Sequence, residues 1–264
     1  MEAKEKQLII TEKRLEEMKA CKDGLRAFKK HFPNGGEALE VLKRCVELNY
    51  SGFSRWLVDH LPPIYSPLEL NTFIGSLFYP NDVHIKGDIS TEGFIHIKGI
   101  LKIDGKLTVN KHGSVYSDKD CINADEIDLN EYTYLESNAK ANSISMSDYA
   151  FINGDAVAVN INISGFASIY GNTKTKVINL NGGRIYGNVD TDELYNDGGL
   201  IDGNVNTIKI KNINGGQIRG DVDADEIIND GGLIRGDVNT FTIENINGGV
   251  VKGKISYKSP DEHK

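Results

Sequence analysis

Between Asn181 and Tyr257 the chain writes one phrase five times: Asn or Asp, two glycines, any residue, Ile or Val, any residue, Gly, any residue, Val or Ile. The copies begin at Asn181, Asp197, Asn214, Asp230 and Asn247, so the step alternates between 16 and 17. The closest match is therefore two copies away: DGGLIDGNVNTIKIKNI from Asp197 and DGGLIRGDVNTFTIENI from Asp230. A fixed internal period restricts a chain to stacked architectures, in which each repeat contacts its neighbours and none is stable alone.

The apolar residues within each copy alternate, as in a strand. Ile185 and Val189 read as sharing an inward face, as do Ile201 with Val205, Ile218 with Val222, Ile234 with Val238, and Val251 with Ile255. A glycine stands midway in each pair (Gly187, Gly203, Gly220, Gly236, Gly253), which suggests a bend or a close backbone approach. The Gly-Gly pairs mark corners, and the Asn or Asp before them tolerates the same left-handed backbone. Three short strands and three corners in each copy make one coil of a parallel β-solenoid. Stacking then places Arg219 and Asp221 one coil from Arg235 and Asp237, a charge cluster that reads as weak, solvated surface pairs.

The same rhythm starts earlier. Pro62, Pro63 and Pro67 break the chain, and LELNTFIGSLFYPNDVHIKGDI (68–89) opens the first coil. From Ile152 the Ile-x-Gly spacing is regular; between about 110 and 150 it is poor, and degenerate coils with a protruding loop are expected there. Residues 68–257 make roughly 11 coils. At about 4.8 Å per coil the rod is on the order of 50 Å long.

Residues 1–61 read as helical. Thr11 is placed to cap a helix reaching about Lys19, and Leu25, Phe28 and Phe32 form the apolar stripe of the next. Pro33 to Gly36 breaks the chain. A further helix carries Leu39, Val41, Leu42, Cys45 and Val46, and a short one carries Phe53, Trp56, Leu57 and Leu61. The expected arrangement is a small bundle packed on the first coil, capping its open strand edges. Residues 62–67 form a proline-rich linker, and 258–264 a polar, frayed tail.

Charge narrows the partners. Residues 1–80 carry 12 basic and 11 acidic side chains, residues 81–264 carry 18 and 27, and the whole chain has a net charge of −8. An acidic rod lacks the basic stripe that tracks phosphates, so no direct nucleic-acid binding is expected. Three cysteines, Cys21, Cys45 and Cys121, form no disulfide framework. MEAKEKQ has no apolar signal region, and no stretch approaches the roughly 18 apolar residues of a membrane span. A cytoplasmic protein is expected, without membrane contact.

No catalytic, cofactor or metal constellation is legible. His84 and His96 read as possible neighbours, but a metal site needs three or four ligands and no third converges. NDGGLIDGNVN (196–206) lacks the ninefold period of calcium-binding repeats. Two features remain as candidate partner sites. Asp192-Glu193 and Asp225-Glu226 lie two copies apart, hence on one corner two coils apart, and with Asp221, Asp223 and Asp237 they could mimic a nucleic-acid backbone. Arg184, Arg219, Arg235 and Lys252 interrupt that surface. Tyr132 and Tyr134, with Tyr116, Tyr149, Phe151 and Tyr170, cluster around the irregular section; they either pack its interior and loops or, if it protrudes, form a protein interface.

Two resemblances follow from these motifs. ACKDGLRAFKKHFPNG (20–35), EVLKRC (40–45), the Trp56-Leu57 helix and the Pro-Pro break before LELNTF resemble a family of phage and prophage proteins in which a helical module precedes a glycine-rich solenoid. Some members are associated with anti-CRISPR activity, which implies inhibition by occluding a protein surface of a defence complex in the bacterial host. This chain departs from that family by using Asn/Asp-Gly-Gly corners. IRGDV at 218–222 and at 234–238 resembles the bactofilins, whose solenoids polymerise end to end; a helical domain at one end is a departure from them. The sequence thus describes a mainly β chain, a single-stack parallel β-solenoid behind a small α-helical domain. The function expected of it is non-catalytic interaction with a protein partner, or self-association through the solenoid end. A solenoid-type enzyme is the least favoured alternative.

Overall fold

The computed structural model describes residues 8–63 and 65–259; the frayed tail expected at 258–264 lies mostly outside them. Strand makes up 49% and helix 14% of the chain, in a parallel β-solenoid of about 11 turns preceded, among the described residues, by four helices.

The helices are α1 (Glu12–Glu17), α2 (Lys22–His31), α3 (Ala38–Glu47) and α4 (Ser51–His60). Thr11 does cap α1, with extended backbone (φ −124°, ψ 160°) and Oγ1 accepting the Arg14 N–H at 3.2 Å. The helix stops sooner than the sequence suggests, because Lys19 turns into the left-handed region at φ 63°. In α2, Phe28 is buried and stacks on Phe32 at 5.6 Å. Glu37 caps α3: one carboxylate oxygen accepts the Leu39 and Glu40 N–H groups, and the other accepts the Tyr65 hydroxyl at 2.6 Å. The Gly36 break doubles as a strand, since Gly36–Glu37 pairs antiparallel with Ile9–Ile10.

Each coil of the solenoid has three faces. Face A carries the inward residues Val189, Val205, Val222 and Val238. Face B carries Leu194, Ile210 and Ile227, followed two positions later by Asn196, Asn212 and Asn229. Face C carries Ile185, Ile201, Ile218 and Ile234. All of these pairings are parallel and in register, so like residues sit on like. The alternation read across Ile185 and Val189 is thereby corrected. Both side chains point inward, but from two faces, because Gly187 between them is a corner and not a strand residue.

Two local demands write the repeat. At the A–C corner the coils approach so closely that a Cβ on Gly220 would overlap the Gly203 carbonyl oxygen, so only glycine fits. The Asn or Asp after it accepts the backbone N–H of its counterpart in the next coil: Asn204 from Asp221 at 2.9 Å, Asp221 from Asp237 at 2.8 Å. The B–C corner explains the alternation of 16 and 17. In the coils ending at Ile201 and Ile234 one left-handed glycine makes the turn, Gly198 or Gly231. In those ending at Ile218 and Val251 an asparagine joins it, as Asn214 (φ 50°) precedes Gly215 (φ 78°), and the coil is longer by that asparagine.

The irregular section stays in the stack. No protruding loop forms among the described residues between 110 and 150; the extra chain is absorbed as a bulge in Ser114–Asn123, where the register shifts between Tyr116 and Cys121.

The helical module does not cap the solenoid. It lies on the outer side of face C over the first coils. Asp59 of α4 meets His96 Nε2 at 2.6 Å, Arg55 meets Glu136 at 3.4 Å, and Lys98 Nζ donates to the Asp59 and Leu61 carbonyls at 2.8 and 2.7 Å. Outward Phe78 and His96 are buried beneath it.

Candidate interaction surfaces

The outer surface of face C is aromatic beyond the helical module. At the B–C corner His112, Tyr132, Tyr149 and Phe166 stack in sequence, with centroids 5.2, 4.6 and 5.0 Å apart. Beside them on face C, Tyr134 meets Phe151 edge-on at 4.0 Å, Phe151 meets Tyr170 at 6.0 Å, and Tyr170 stacks on Tyr186 at 4.8 Å, the last two lying just past the ends of Ser168–Ile169 and Arg184–Ile185. Tyr132, Tyr149, Phe166 and Tyr170 are between 45% and 55% exposed. These rings neither fill the interior nor sit on a protruding loop, the two places the sequence suggests for them; stacking of coils brings them together on the outside. Phe166, Tyr186 and His112 escape the sequence reading. Their signal is available: Tyr132, Tyr149 and Phe166 each lie three positions before the inward residue of face C.

The carboxylates are arranged differently from a continuous row. Asp192 and Asp225 do share the A–B corner two coils apart, and Ile208 occupies the rung between them. Glu193 and Glu226 flank Lys209, which lies 3.4 Å from Glu226. Asp225 and Asp223 both hold Lys258, at 2.9 and 2.6 Å. Burial disfavours charge on Asp223, but hydrogen bonds from Lys258 and Asn239 outweigh it and hold its pKa below the ordinary carboxylate value. The cluster expected around Arg219 also rearranges: Arg219 reaches Asp202 at 3.1 Å, and Asp221 is engaged with the Asp237 backbone.

His84 and His96 are on different faces. His84 faces Asp104 at 2.7 Å on the outside of face A, and His96 lies on face C under α4. Among the described residues no group of three or more His, Cys, Asp or Glu is placed to hold a metal, and no helix is long and apolar enough to cross a membrane. An apolar cleft of about 430 Å³, partly open to solvent, lies among the helices of the module and is lined by Phe28, Phe32, Phe53 and Trp56.

The two ends of the rod form the third surface. Among the described residues, Leu68–Leu70 and Phe73–Ile74 pair only with the second coil, and Thr242–Ile246, Val250–Val251 and Ile255–Tyr257 only with the coil before them. Their inward side chains Leu68, Leu70 and Phe73, and Ile243, Val251 and Ile255, are half-buried, whereas the equivalent residues inside the stack are fully buried.

Residues 1–62 match the model of a family described as the YdhT N-terminal domain. The match ends just beyond α4, so it covers the helical module and none of the solenoid. No curated protein and no solved structure matches the chain.

Proposed function

We propose that this is a non-catalytic assembly protein whose rod associates end to end through its terminal coils. The observation that carries this reading is that, among the described residues, both end coils leave strand edges without a neighbouring strand and apolar residues half-covered. A parallel in-register stack has no intrinsic stop: each coil satisfies the edge of the one before it. Seating Ile243, Val251 and Ile255 of one copy over Phe73, Leu77 and Leu68 of the next continues all three faces. Fully burying such a side chain from water contributes roughly 1.5–3 kcal/mol, and the half of each that is still exposed supplies a corresponding part of that. The helical module is seated on the outer side of face C, and Ile74 at that end of the rod remains exposed. A head-to-tail contact of this kind does not close on itself and leads to filaments.

Occlusion of a defence complex by acidic mimicry is the competing reading. The alternation of Glu193, Lys209 and Glu226, and the Asp223–Lys258–Asp225 bridge, favour assembly over it, because they break the row of carboxylates on the outer surface.

Light scattering over a micromolar concentration series tests the proposal. The mass of the native chain should grow with concentration, and Ile255→Asp should hold it at a single chain with unchanged circular dichroism. A native chain that stays monomeric throughout overturns the end-to-end reading.

A further inference from the structure

We infer that the exposed aromatic stripe on face C is a docking groove for an arginine-bearing amphipathic helix of another protein, seated on the rings and carboxylates of this face as α4 is seated on the preceding coils. This inference uses the side of the rod and does not depend on association through its ends.

The first argument is continuity. α4 already shows what face C accepts. It lies against the face C strands of the first two coils, with Asp59 at His96 on the second coil and the long Arg55 side chain reaching Tyr116 on the third and Glu136 on the fourth. The Arg55 guanidinium lies 5.6 Å from the centre of the Tyr116 ring, within cation–π range. Beyond Glu136 the same surface continues without a helix on it among the described residues, and the rings become denser: Tyr134, Phe151, Tyr170 and Tyr186 along face C, with the corner stack beside them.

The second argument is charge. Over the coils of Tyr132, Tyr149 and Phe166 the charged residues on the outer side of face C and at its B–C corner are Glu131, Glu136 and Asp148, all acidic, and exposed Arg184, next in the column of Tyr134, Phe151 and Ser168, bounds the stripe at its far end. Glu136 is already met by an arginine from α4, and Glu131 and Asp148 stand exposed beside the corner rings. Tyrosine faces and carboxylates together select arginine or lysine, and the stacked rings supply the rigid apolar floor that interface cores favour. Patches of this kind are uncommon on surfaces that bind nothing.

The probe is a hydrocarbon-stapled, fluorescein-labelled peptide with the sequence of residues 49–62, titrated with the full chain and followed by anisotropy. Saturable binding is expected. Tyr149→Ser, Phe166→Ser and Tyr170→Ser together should weaken it at least tenfold with an unchanged melting temperature, since these side chains are half-exposed. The same peptide carrying Arg55→Ala should also bind at least tenfold more weakly. Absence of saturable binding overturns the inference. So does equal binding by the triple variant, or by the Arg55→Ala peptide. A fall in the chain's own solution mass in the triple variant would identify the occupant as a second copy, which also overturns it; loss of mass in Ile255→Asp alone concerns the rod ends and leaves it standing.

Discussion

The side-chain amides of Asn212 and Asn229, one coil further on, are hydrogen-bonded at 2.8 Å, with both residues fully buried. Asn196 is joined to Asn212 in the same way, and Asn229 to Asn245, so a chain of amides runs up the inside of face B. One coil earlier the column is held by Leu180.

That chain should behave as a unit. Asn212→Leu strands one amide group of Asn196 and one of Asn229 in a dry interior, at about 1–3 kcal/mol each. Replacing Asn196, Asn212 and Asn229 by Leu together removes the stranded groups and extends the packing of Leu180. Urea midpoints should therefore show the triple variant to be more stable than the single one. The reverse order would mean that the column tolerates leucine only at its apolar end.

Glycines divide by what surrounds them. Gly220→Ala drives a Cβ into the Gly203 carbonyl and should destabilise by about 1–3 kcal/mol. Gly52→Ala, inside α4 with nothing within 4 Å of the added atom, should stabilise by about 0.5–1 kcal/mol. Thermal melts of the two variants should move in opposite directions.

The seat of the helical module is pH-sensitive. Burial under α4 holds the His96 imidazole below its ordinary pKa, despite the opposing pull of Asp59. The unfolded chain takes up a proton that the folded chain refuses, so stability is present above the ordinary imidazole value and falls as pH drops through it. Each unit of depression is worth about 1.4 kcal/mol. Urea midpoints should decline between about pH 7.5 and 5.5 in the native chain, and His96→Gln should remove most of that slope. A slope unchanged in the variant would place the sensitivity elsewhere.

Lys258 ties the last described strand to the stack. Its ammonium bridges Asp223 and Asp225 and lies 5.3 Å from the centre of the Phe241 ring. Burial opposes its charge, and the two carboxylates more than compensate, so its pKa is raised. Lys258→Met leaves two neighbouring carboxylates unbridged and should cost about 1–2 kcal/mol after solvent screening. Hydrogen exchange should localise the loss to Ile255–Tyr257; protection retained there would show that backbone pairing alone holds the strand.

The sequence by itself determined the stack. Its requirements at the corners are local: a glycine where backbones nearly touch at Gly220, a left-handed residue at Gly215, an Asx oxygen at Asn204 for the next coil's N–H. Local requirements recur with every coil, so they surface as a period. It also located the helical module and the Thr11 cap, which depend on near neighbours along the chain. Tertiary structure decided everything that depends on which residue lies above which. Coils of unequal length, the longest through the bulge after Tyr116, shift the vertical neighbours, and a slip of one position exchanges inside for outside. So Ile185 and Val189 belong to different faces, Lys209 enters the row between Glu193 and Glu226, and Tyr132, Tyr149 and Phe166 become one exposed stack. The helical module is seated on the side of the rod by the aromatic surface of Phe78, His96 and Tyr116, three residues of three different coils that only the winding of the chain brings into line.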